Sequence, residues 1–292
     1  MLSEQQVAAF FRNGFLHIPN AISTRELKGI KEVVEGFMAD PNQQPLEVRQ
    51  DFKYGALIGD NIGKGNQLCR IEYTFNKHPR FLMMLANPHI LDVAASLYQS
   101  PVVVTWEDMV IKIPGTSFSV PFHQDLLFQS TKKPVFSIGI YLDDSNEDPL
   151  LVLPGTQQLG PLSEVQIQEL VKERANEIVR MPVKAGDLLV HNVLMVHGSN
   201  ANISNKLRRV VYFEFRTVLQ VLNDSPWNES WLQKRMQFIP AAIKLREQSD
   251  LVNEDDLSLR DELYKHRDTW LPQVPLVQTE LQLRVHHDPA LS

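Results

Sequence analysis

The segments "PVVVTWEDMVIKIPG" (residues 101–115) and "RRVVYFEFRTV" (residues 208–218) open and close the region that decides how this chain folds. Both are rich in β-branched and aromatic residues, which is typical of β-strands. Three similar segments lie between them, "PVFSIGIYLDD", "PLLVLPG" and "DLLVHNVLMVHGS", and only one helical pattern interrupts the series, at residues 163–177. Many short strands with few helices predict a mainly β fold of the sandwich or barrel type.

Helical patterns precede and follow this β-rich region. Two of them begin at Ser3 and Ser23, residues of the type that caps helix N-termini. Residues 39–70 are rich in Asn, Gln, Gly and Asp and predict a long loop or lid, a kind of segment that is often functional. We therefore expect one domain (residues 1–292) with three parts: N-terminal helices and a lid loop (residues 1–100), a β core (residues 101–221) and a C-terminal helical extension (residues 222–292).

Composition excludes several classes of protein. The chain has 292 residues and a formal net charge of −6, which argues against a general nucleic-acid or anionic-membrane surface. Cys69 is the only cysteine, so a disulfide framework is excluded and a reducing compartment is expected. No run of eighteen apolar residues is present, and the N-terminus lacks the pattern of a signal peptide. We expect a cytoplasmic protein that binds neither nucleic acid nor membrane; the sequence does not indicate its oligomeric state.

Two histidines and one carboxylate stand out among the ionisable residues. His123 and Asp125 are two residues apart in "SVPFHQDLLF", so in an extended strand their side chains lie on the same face. His197 ends an apolar segment, where a Gly-Ser pair interrupts the strand pattern. Two neutral nitrogens and one anionic oxygen form the ligand set of non-heme Fe(II) oxygenases, because they leave the other positions of the metal open. Zinc accepts the same ligands, so these three residues alone do not identify the metal.

His191 is an alternative ligand, since it lies six residues before His197 in the same apolar segment. His197 has the strand end, the Gly-Ser break and an arginine downstream, and His191 has none of these at the corresponding spacing. We therefore assign His197 as the ligand and expect His191 to pack in the core or beside the metal site.

Arg208 supplies a further signal, eleven residues after His197 and at the start of the next strand. A planar guanidinium suits a carboxylate that is bound through two hydrogen bonds. The co-substrate that chelates iron at one end and carries a second carboxylate at the other is 2-oxoglutarate. Arg209 is the rival residue, and because neighbours on a strand face opposite sides, only one of the two arginines can point inward.

Four segments in order along most of the chain resemble the phytanoyl-CoA dioxygenase family of Fe(II)/2-oxoglutarate-dependent oxygenases. They are the N-terminal "LSEQQVAAFFRNGFLHIPNAISTRELKGI", the strand and metal motif "DMVIKIPGTSFSVPFHQDLLF", the loop "YLDDSNEDPLLVLPGTQQLG" and the distal "KAGDLLVHNVLMVHGSNANISNKLRRVV". The order of four such segments is far more specific than a single His-x-Asp.

The resemblance implies a fold, a ligand set and an activity. The family fold is a double-stranded β-helix, a squashed antiparallel jelly-roll or cupin-like barrel. Carried over by position, His123, Asp125 and His197 become the metal ligands, and family spacing favours Arg208 as the residue that binds the 2-oxoglutarate tail. The implied enzyme is a dioxygenase that uses Fe(II), 2-oxoglutarate and O2, hydroxylates or otherwise oxidises a small organic substrate, and releases succinate and CO2.

Three features of the family pattern bear on this chain in particular. The chain has Glu147-Asp148-Pro149 and Pro154-Gly155-Thr156-Gln157 where members commonly read Glu-Asn-Gly and Pro-Gly-Ser-His, which weakens any inference of substrate from relatives. Tyr141 stands in for an aromatic residue that often lies beside the co-substrate. Relatives that halogenate carry a small residue at the position of Asp125, so the carboxylate here favours hydroxylation, desaturation or rearrangement.

Other candidates remain open from the sequence. Lys112 lies between apolar neighbours on a strand; it either reaches the co-substrate or substrate, or faces solvent at a sheet edge. Tyr73, Trp106 and Phe128 are candidates for the substrate wall, although core packing is the ordinary role of such aromatics.

The substrate class is the least determined part of the prediction. The acidic net charge and the lack of an obvious basic platform for CoA phosphates favour a small molecule taken free and not as a CoA thioester. Two alternative functions stay open. The first is a β-barrel that binds a metal or small ligand without turnover, and the second is a zinc-dependent hydrolase or isomerase of cupin shape, although no His-Glu-x-x-His or similar signature is present.

Overall fold

Two antiparallel β-sheets form the centre of the protein. The computed structural model describes residues 1–55, 67–115, 119–125, 134–224, 226–252 and 254–273. Its strands are β1 (Phe15–Ile18), β2 (Phe52–Tyr54), β3 (Leu68–Glu72), β4 (Val102–Lys112), β5 (Val120–His123), β6 (Phe136–Tyr141), β7 (Leu150–Val152), β8 (Val179–Met181), β9 (Leu188–Asn192), β10 (His197–Ser199) and β11 (Arg208–Thr217). Its helices are α1 (Glu4–Asn13), α2 (Thr24–Ala39), α3 (Leu46–Arg49), α4 (Pro79–Leu85), α5 (Pro88–Tyr98), α6 (Glu164–Glu173), α7 (Val218–Asp224), α8 (Glu229–Arg235), α9 (Phe238–Glu247), α10 (Glu254–Tyr264) and α11 (Arg267–Trp270).

The strand order is that of a jelly roll. The larger sheet has the order β1-β9-β6-β11-β4-β3-β2, and the smaller has the order β5-β10-β7-β8. The pairings within both sheets are antiparallel. Side chains from both sheets line one cavity, so the site lies between the two layers. The predicted mainly β fold with flanking helices is therefore confirmed.

Strand β11 shows how the larger sheet separates its two faces. Val211, Phe213 and Phe215 are fully buried and belong to the main hydrophobic core. Residues of the other parity, among them Arg208 and Tyr212, line the cavity between the sheets. Because side chains alternate along a strand, one strand serves the core with one half of its residues and the site with the other half.

The main core lies between the larger sheet and the helices. Ser3 caps α1 through a reciprocal capping box with Gln6, and Ser23 accepts a hydrogen bond from the Glu26 N–H at the start of α2. The Glu26 side chain does not complete a second capping box. It is buried and pairs with Arg246 of α9 at 2.7 Å, which ties α2 to the C-terminal helices.

The β structure extends beyond residues 101–221. Strands β1, β2 and β3 come from the first hundred residues and join the larger sheet at its two edges. The segment at residues 39–70 is not loop throughout, since α3, β2 and the start of β3 lie in it; its residues 56–66 are outside the described part of the chain. The helical extension is described as far as residue 273, so the prediction for 274–292 falls outside the described residues.

No single helix among the described residues is long and apolar enough to cross a bilayer. Helices α4 and α5 follow one another with a 45° bend between them. Only when the two are counted together are they long and apolar enough for a membrane span. Many side chains of both helices belong to the main core.

Candidate active site

A cavity of about 360 Å³ opens between the two sheets. Its lining is polar at many positions, although it lies in the middle of a strongly apolar fold. The ionisable side chains that line it are Arg70, Asp108, Lys112, His123, Asp125, His191, His197, Arg208, Tyr212 and Glu214. Convergence of this many titratable groups on one concavity is a recognised mark of a functional site.

The three predicted metal ligands meet on the side of the cavity formed by the smaller sheet. His123 of β5 and His197 of β10 are partners in the antiparallel register, and their ring centroids are 4.4 Å apart. Asp125 follows β5 directly, and one ligand atom from each of the three residues lies within 4.8 Å of the others. Gly198 allows this close approach, because a Cβ there would lie 2.8 Å from the backbone oxygen of Val120.

Backbone carbonyls fix the orientation of both histidine rings. His123 Nδ1 lies 2.8 Å from the Pro121 carbonyl oxygen, and His197 Nδ1 lies 2.9 Å from the Met195 carbonyl oxygen. A carbonyl only accepts hydrogen bonds, so each Nδ1 carries a proton and Nε2 is the nitrogen left to bind a metal. Both Nε2 atoms face Asp125, at 3.3 and 3.6 Å from its oxygens. This is the tautomer that a metal-binding histidine needs.

The electrostatics of these residues suit a divalent cation. Burial, with His123 and His191 nearby, lowers the pKa of His197 to about 3, against the opposing influence of Asp125. His197 is therefore neutral at ordinary pH. Burial raises the pKa of Asp125, but the surrounding histidines outweigh it and hold that pKa well below the usual range, so the carboxylate is ionised. Neutral imidazole and ionised carboxylate are the ligand forms that bind a metal.

Gln124, which lies between the predicted ligands His123 and Asp125, anchors the segment that carries them. The Gln124 side chain is buried; its Nε2 donates to the Leu194 carbonyl at 2.6 Å and its Oε1 accepts from the Leu162 N–H at 2.8 Å. The Asp125 N–H donates to the Val193 carbonyl at 2.8 Å. These three hydrogen bonds hold the carboxylate in place without using its oxygens, because they come from the backbone and from a neighbouring side chain.

His191 lies directly beside the carboxylate. Its Nε2 is 3.0 Å from Asp125 Oδ2, and its ring centroid is 4.7 Å from that of His197. His191 Nδ1 is buried and has no hydrogen-bond partner among the described residues. The residue predicted to pack near the site therefore contacts a predicted ligand through a hydrogen bond, and is not one of the three that converge for a metal.

Arg208 and Lys112 form a second charged group in the cavity. They face each other across the β11–β4 pairing, and both are buried. Each pairs with Asp148 at 3.2 Å, and Lys112 also donates to Ser199 Oγ at 2.9 Å. Lys112 thus lines the cavity and does not face solvent at a sheet edge. Two cations and one carboxylate leave this corner with a net charge of about +1.

Tyr141 lies beneath the Arg208 guanidinium, whose carbon is 5.8 Å from the ring centroid. Tyr141 is fully buried, and neither its hydroxyl oxygen nor Arg208 Nε has a hydrogen-bond partner among the described residues. Buried donors without partners are costly, which indicates that this corner is built to receive a further acceptor.

The other residues singled out from the sequence do not all line the cavity. Arg209 faces away from the cavity and pairs with Asp143 at 2.7 Å and Glu35 at 3.3 Å. Trp106 lines the cavity, whereas Tyr73 does not. Phe128 lies outside the described residues.

Sequence reasoning missed several polar residues of the cavity. Asp148 was noted only as a departure from a family pattern, and its ion pairs join residues that are 36 and 60 positions away along the chain. Arg70 and Asp108 line the wall formed by β3 and β4, and Tyr212 lies on β11. Strand parity could have placed Tyr212 on the same face as Arg208, since the two are four residues apart.

Comparisons with known proteins agree with this geometry. Residues 10–210 match the family model described as phytanoyl-CoA dioxygenase (PhyH). The chain is 23% identical to the 2-aminoethylphosphonate dioxygenase of the uncultured bacterium HF130_AEPn_1, over 83% of this chain and 91% of that protein. It is 22% identical to the methylphosphonate hydroxylase of Gimesia maris, over 75% of this chain and 82% of that protein.

Solved structures extend the likeness to the fold. The crystal structure of EctD from S. alaskensis with bound Fe superposes with a TM-score of 0.63 and 21% sequence identity, over 75% of this chain and 78% of that chain. The family model spans more than half of the chain, which confirms both the family resemblance and the enzyme class predicted from the sequence. The protein belongs to the phytanoyl-CoA dioxygenase family, and is a dioxygenase that depends on Fe(II) and 2-oxoglutarate.

Proposed function

We propose that His123, Asp125 and His197 hold the iron, and that the cavity they line is where a small organic molecule is oxidised. The observation that carries this proposal is the convergence of three ligand atoms within 4.8 Å on the wall of a 360 Å³ cavity. Two imidazoles and a carboxylate are the donor set that non-heme iron oxygenases use. The iron, when bound, supplies the oxidising chemistry that couples 2-oxoglutarate and O2 to attack on the substrate.

Arg208 binds the far carboxylate of 2-oxoglutarate in this proposal. Its guanidinium is buried, offers an unpaired Nε, and has only Asp148 as an ion-pair partner within the described residues. A second carboxylate would bring the corner formed by Arg208, Lys112 and Asp148 from a net charge of about +1 to neutrality. A guanidinium also offers several donors in one plane, which fits both oxygens of a carboxylate.

Lys112 and Tyr141 complete the co-substrate corner. Asp148 forms ion pairs with both Lys112 and Arg208. Because its single negative charge is shared between two cations, Asp148 does not fully neutralise Arg208. The Tyr141 ring lies against the guanidinium, and its buried hydroxyl has no hydrogen-bond partner among the described residues. The chain therefore orients the co-substrate through charge and keeps water out through burial.

Asp125 bears on the outcome of the reaction. Its carboxylate occupies the third protein position at the metal, so no vacancy for a halide arises from a missing ligand. His191 donates to one of its oxygens and so leaves the other for the metal. This arrangement supports hydroxylation, or a related desaturation or rearrangement, over halogenation.

We infer that the substrate is a small molecule that is taken free. The cavity volume lies near the lower end of the range for small-molecule sites, and the co-substrate shares it. Its three described cationic residues are Arg70, Lys112 and Arg208, and two of them belong to the co-substrate corner. Two relatives carry the names of small phosphonates, which supports the same size class.

An anaerobic titration tests the proposal. Metal-free protein would receive Fe(II) and then 2-oxoglutarate, and the weak visible charge-transfer band of the chelate would be recorded. We expect the band in the wild type and its loss in His123→Ala. His17→Ala is the matched control, because His17 also pairs with an aspartate, Asp187 at 2.8 Å, but does not line the cavity. Absence of the band in iron-loaded wild type would reject the oxygenase site and favour a binding protein.

A further inference from the structure

One wall of the cavity has charged residues that neither the iron site nor the co-substrate corner uses. Arg70 of β3 and Trp106 and Asp108 of β4 all line it. We propose that Arg70 is the substrate anchor and that it binds an oxyanion group, a carboxylate or phosphonate, of the small substrate. This inference rests on the proposed function, because it assigns the substrate end of the same cavity.

The Arg70 guanidinium is held in a fixed plane. Arg70 Nε donates to Asp108 Oδ2 at 2.5 Å, and Arg70 Nη2 lies 2.5 Å from the same oxygen in an ion pair. The guanidinium carbon lies 5.3 Å from the centroid of the Trp106 ring, which fixes its plane by cation–π contact. Glu72, on the same strand, lies 3.9 Å from Nε. An arginine fixed in this way loses little conformational entropy when a ligand binds.

The opposite edge of the guanidinium is available. The Arg70 side chain is 29% exposed to solvent, whereas the Asp108 side chain is 3% exposed. Arg70 Nη1 has no acceptor within the part of the chain that the structure describes. Nη1 and the second hydrogen of Nη2 are donors with the spacing that a planar or tetrahedral oxyanion accepts. Asp108 therefore orients the arginine without using all of its donors.

Position in the sheet separates this anchor from the co-substrate corner. Arg70 pairs with Val110 across β3–β4, and Lys112 pairs with Arg208 across β4–β11. Two strand spacings, about 10 Å, and an offset of two residues along the strands, about 7 Å, thus separate the backbones of Arg70 and Arg208. The cavity consequently presents two distinct arginines, and the dicarboxylate co-substrate needs only one of them.

The anchor is also within electrostatic reach of the metal ligands. Burial acts to lower the pKa of Arg70, but nearby carboxylates, of which Asp108 acts most strongly, raise it above its ordinary value. Asp125 is one of these carboxylates, and it lines the same cavity as Arg70. A substrate whose oxyanion binds Arg70 would thus occupy the cavity that the proposed metal ligands line.

The test uses a matched panel of probes: 2-aminoethylphosphonate, β-alanine and ethanolamine. The first two share an aminoethyl group and differ in the oxyanion, and the third has no oxyanion. Each would be added anaerobically to protein loaded with Fe(II) and 2-oxoglutarate, and binding would be measured by calorimetry and by perturbation of the charge-transfer band. We expect at least one oxyanion probe to bind and ethanolamine not to bind; the preferred probe distinguishes phosphonate from carboxylate.

Arg70→Gln should weaken binding of the preferred probe by about 10- to 100-fold, because a charge-assisted hydrogen bond is lost. The Fe(II)/2-oxoglutarate band should remain as in the wild type. Lys53→Gln is the matched control, since Lys53 is a neighbouring cation that pairs with Glu72 at 3.3 Å but does not line the cavity. Arg70→Lys keeps the charge and serves if Arg70→Gln does not fold; it should bind the probe with intermediate strength.

Three results would overturn the proposal: failure of both oxyanion probes to bind, ethanolamine binding as well as they do, or an Arg70→Gln affinity equal to that of the wild type. A wild-type protein that lacks the charge-transfer band would instead reject the proposed function itself. The two failures are therefore distinguishable.

Discussion

Replacing Arg208 with glutamine should weaken 2-oxoglutarate binding without unfolding the protein. The substitution removes the guanidinium that we propose for the far carboxylate. Asp148 keeps Lys112 as an ion-pair partner at 3.2 Å, so no carboxylate is left buried without a cation. The sheet pairing of β11 is unaffected, because it depends on the backbone.

The size of the effect follows from burial. The Arg208 side chain is only 6% exposed, so its interaction with a carboxylate is poorly screened by water. Truncating one partner of a buried, hydrogen-bonded charge pair costs roughly 2–5 kcal/mol. Glutamine keeps one donor and Lys112 keeps its charge, which favours the lower part of this range, about 2–3 kcal/mol. The dissociation constant of 2-oxoglutarate should then rise by about 30- to 160-fold.

The assay is the anaerobic titration of iron-loaded protein with 2-oxoglutarate, with the iron affinity measured separately. Arg209→Gln is the matched control, since Arg209 is the next residue and equally buried but pairs with Asp143 and Glu35 on the other face. Thermal unfolding of both variants measures any loss of stability. The reasoning fails if Arg208→Gln binds 2-oxoglutarate within about twofold of the wild type, or if Arg209→Gln weakens binding equally while both remain folded.

Three further predictions concern neighbouring residues. Burial, with the nearby Arg208 charge, lowers the pKa of Lys112 to about 8; as pH rises through this value the ammonium loses its charge, so calorimetry should show 2-oxoglutarate affinity falling by up to about tenfold per pH unit. His191→Phe removes the hydrogen bond to Asp125 and should weaken Fe(II) binding by about 10- to 100-fold in anaerobic metal titrations. Gly139→Ala would put a Cβ 2.9 Å from Tyr212 Cε1 and should lower the free energy of unfolding by about 1–3 kcal/mol in urea.

Each of these predictions has a control. Lys112→Met should make 2-oxoglutarate affinity independent of pH in this range, and a pH dependence that survives the substitution contradicts the assignment. His17→Gln should leave Fe(II) affinity unchanged, and so should His191→Phe if His191 only packs. Gly36→Ala lies in α2, where a Cβ meets nothing within 4 Å, and should not destabilise the protein; a neutral Gly139→Ala would show that Tyr212 moves at no cost.

The sequence by itself determined the mainly β class and the helix starts, and it predicted the three residues that converge on the wall of the cavity. In segments with period two, such as that of β11, the residues that share a face can be predicted from the local sequence, because strand geometry alone sets which residues lie on the same side. Ser3 and Ser23 cap helices through contacts only three residues away. His123 and Asp125 are separated by two positions, so their common face was also readable from the chain.

Only the tertiary structure decided which distant groups meet in the cavity. Asp148 joins Lys112 and Arg208 from a loop, and no local pattern relates these three residues. The same holds for Arg70, whose partner Asp108 lies 38 residues away on the next strand. Strand parity predicts which face of the sheet a side chain occupies. Which residues lie next to that side chain depends on the register between strands and on the loops that fold over the sheet. Register and loop positions are set by packing of the whole chain, so the net charge of the site follows from the fold and not from the motif.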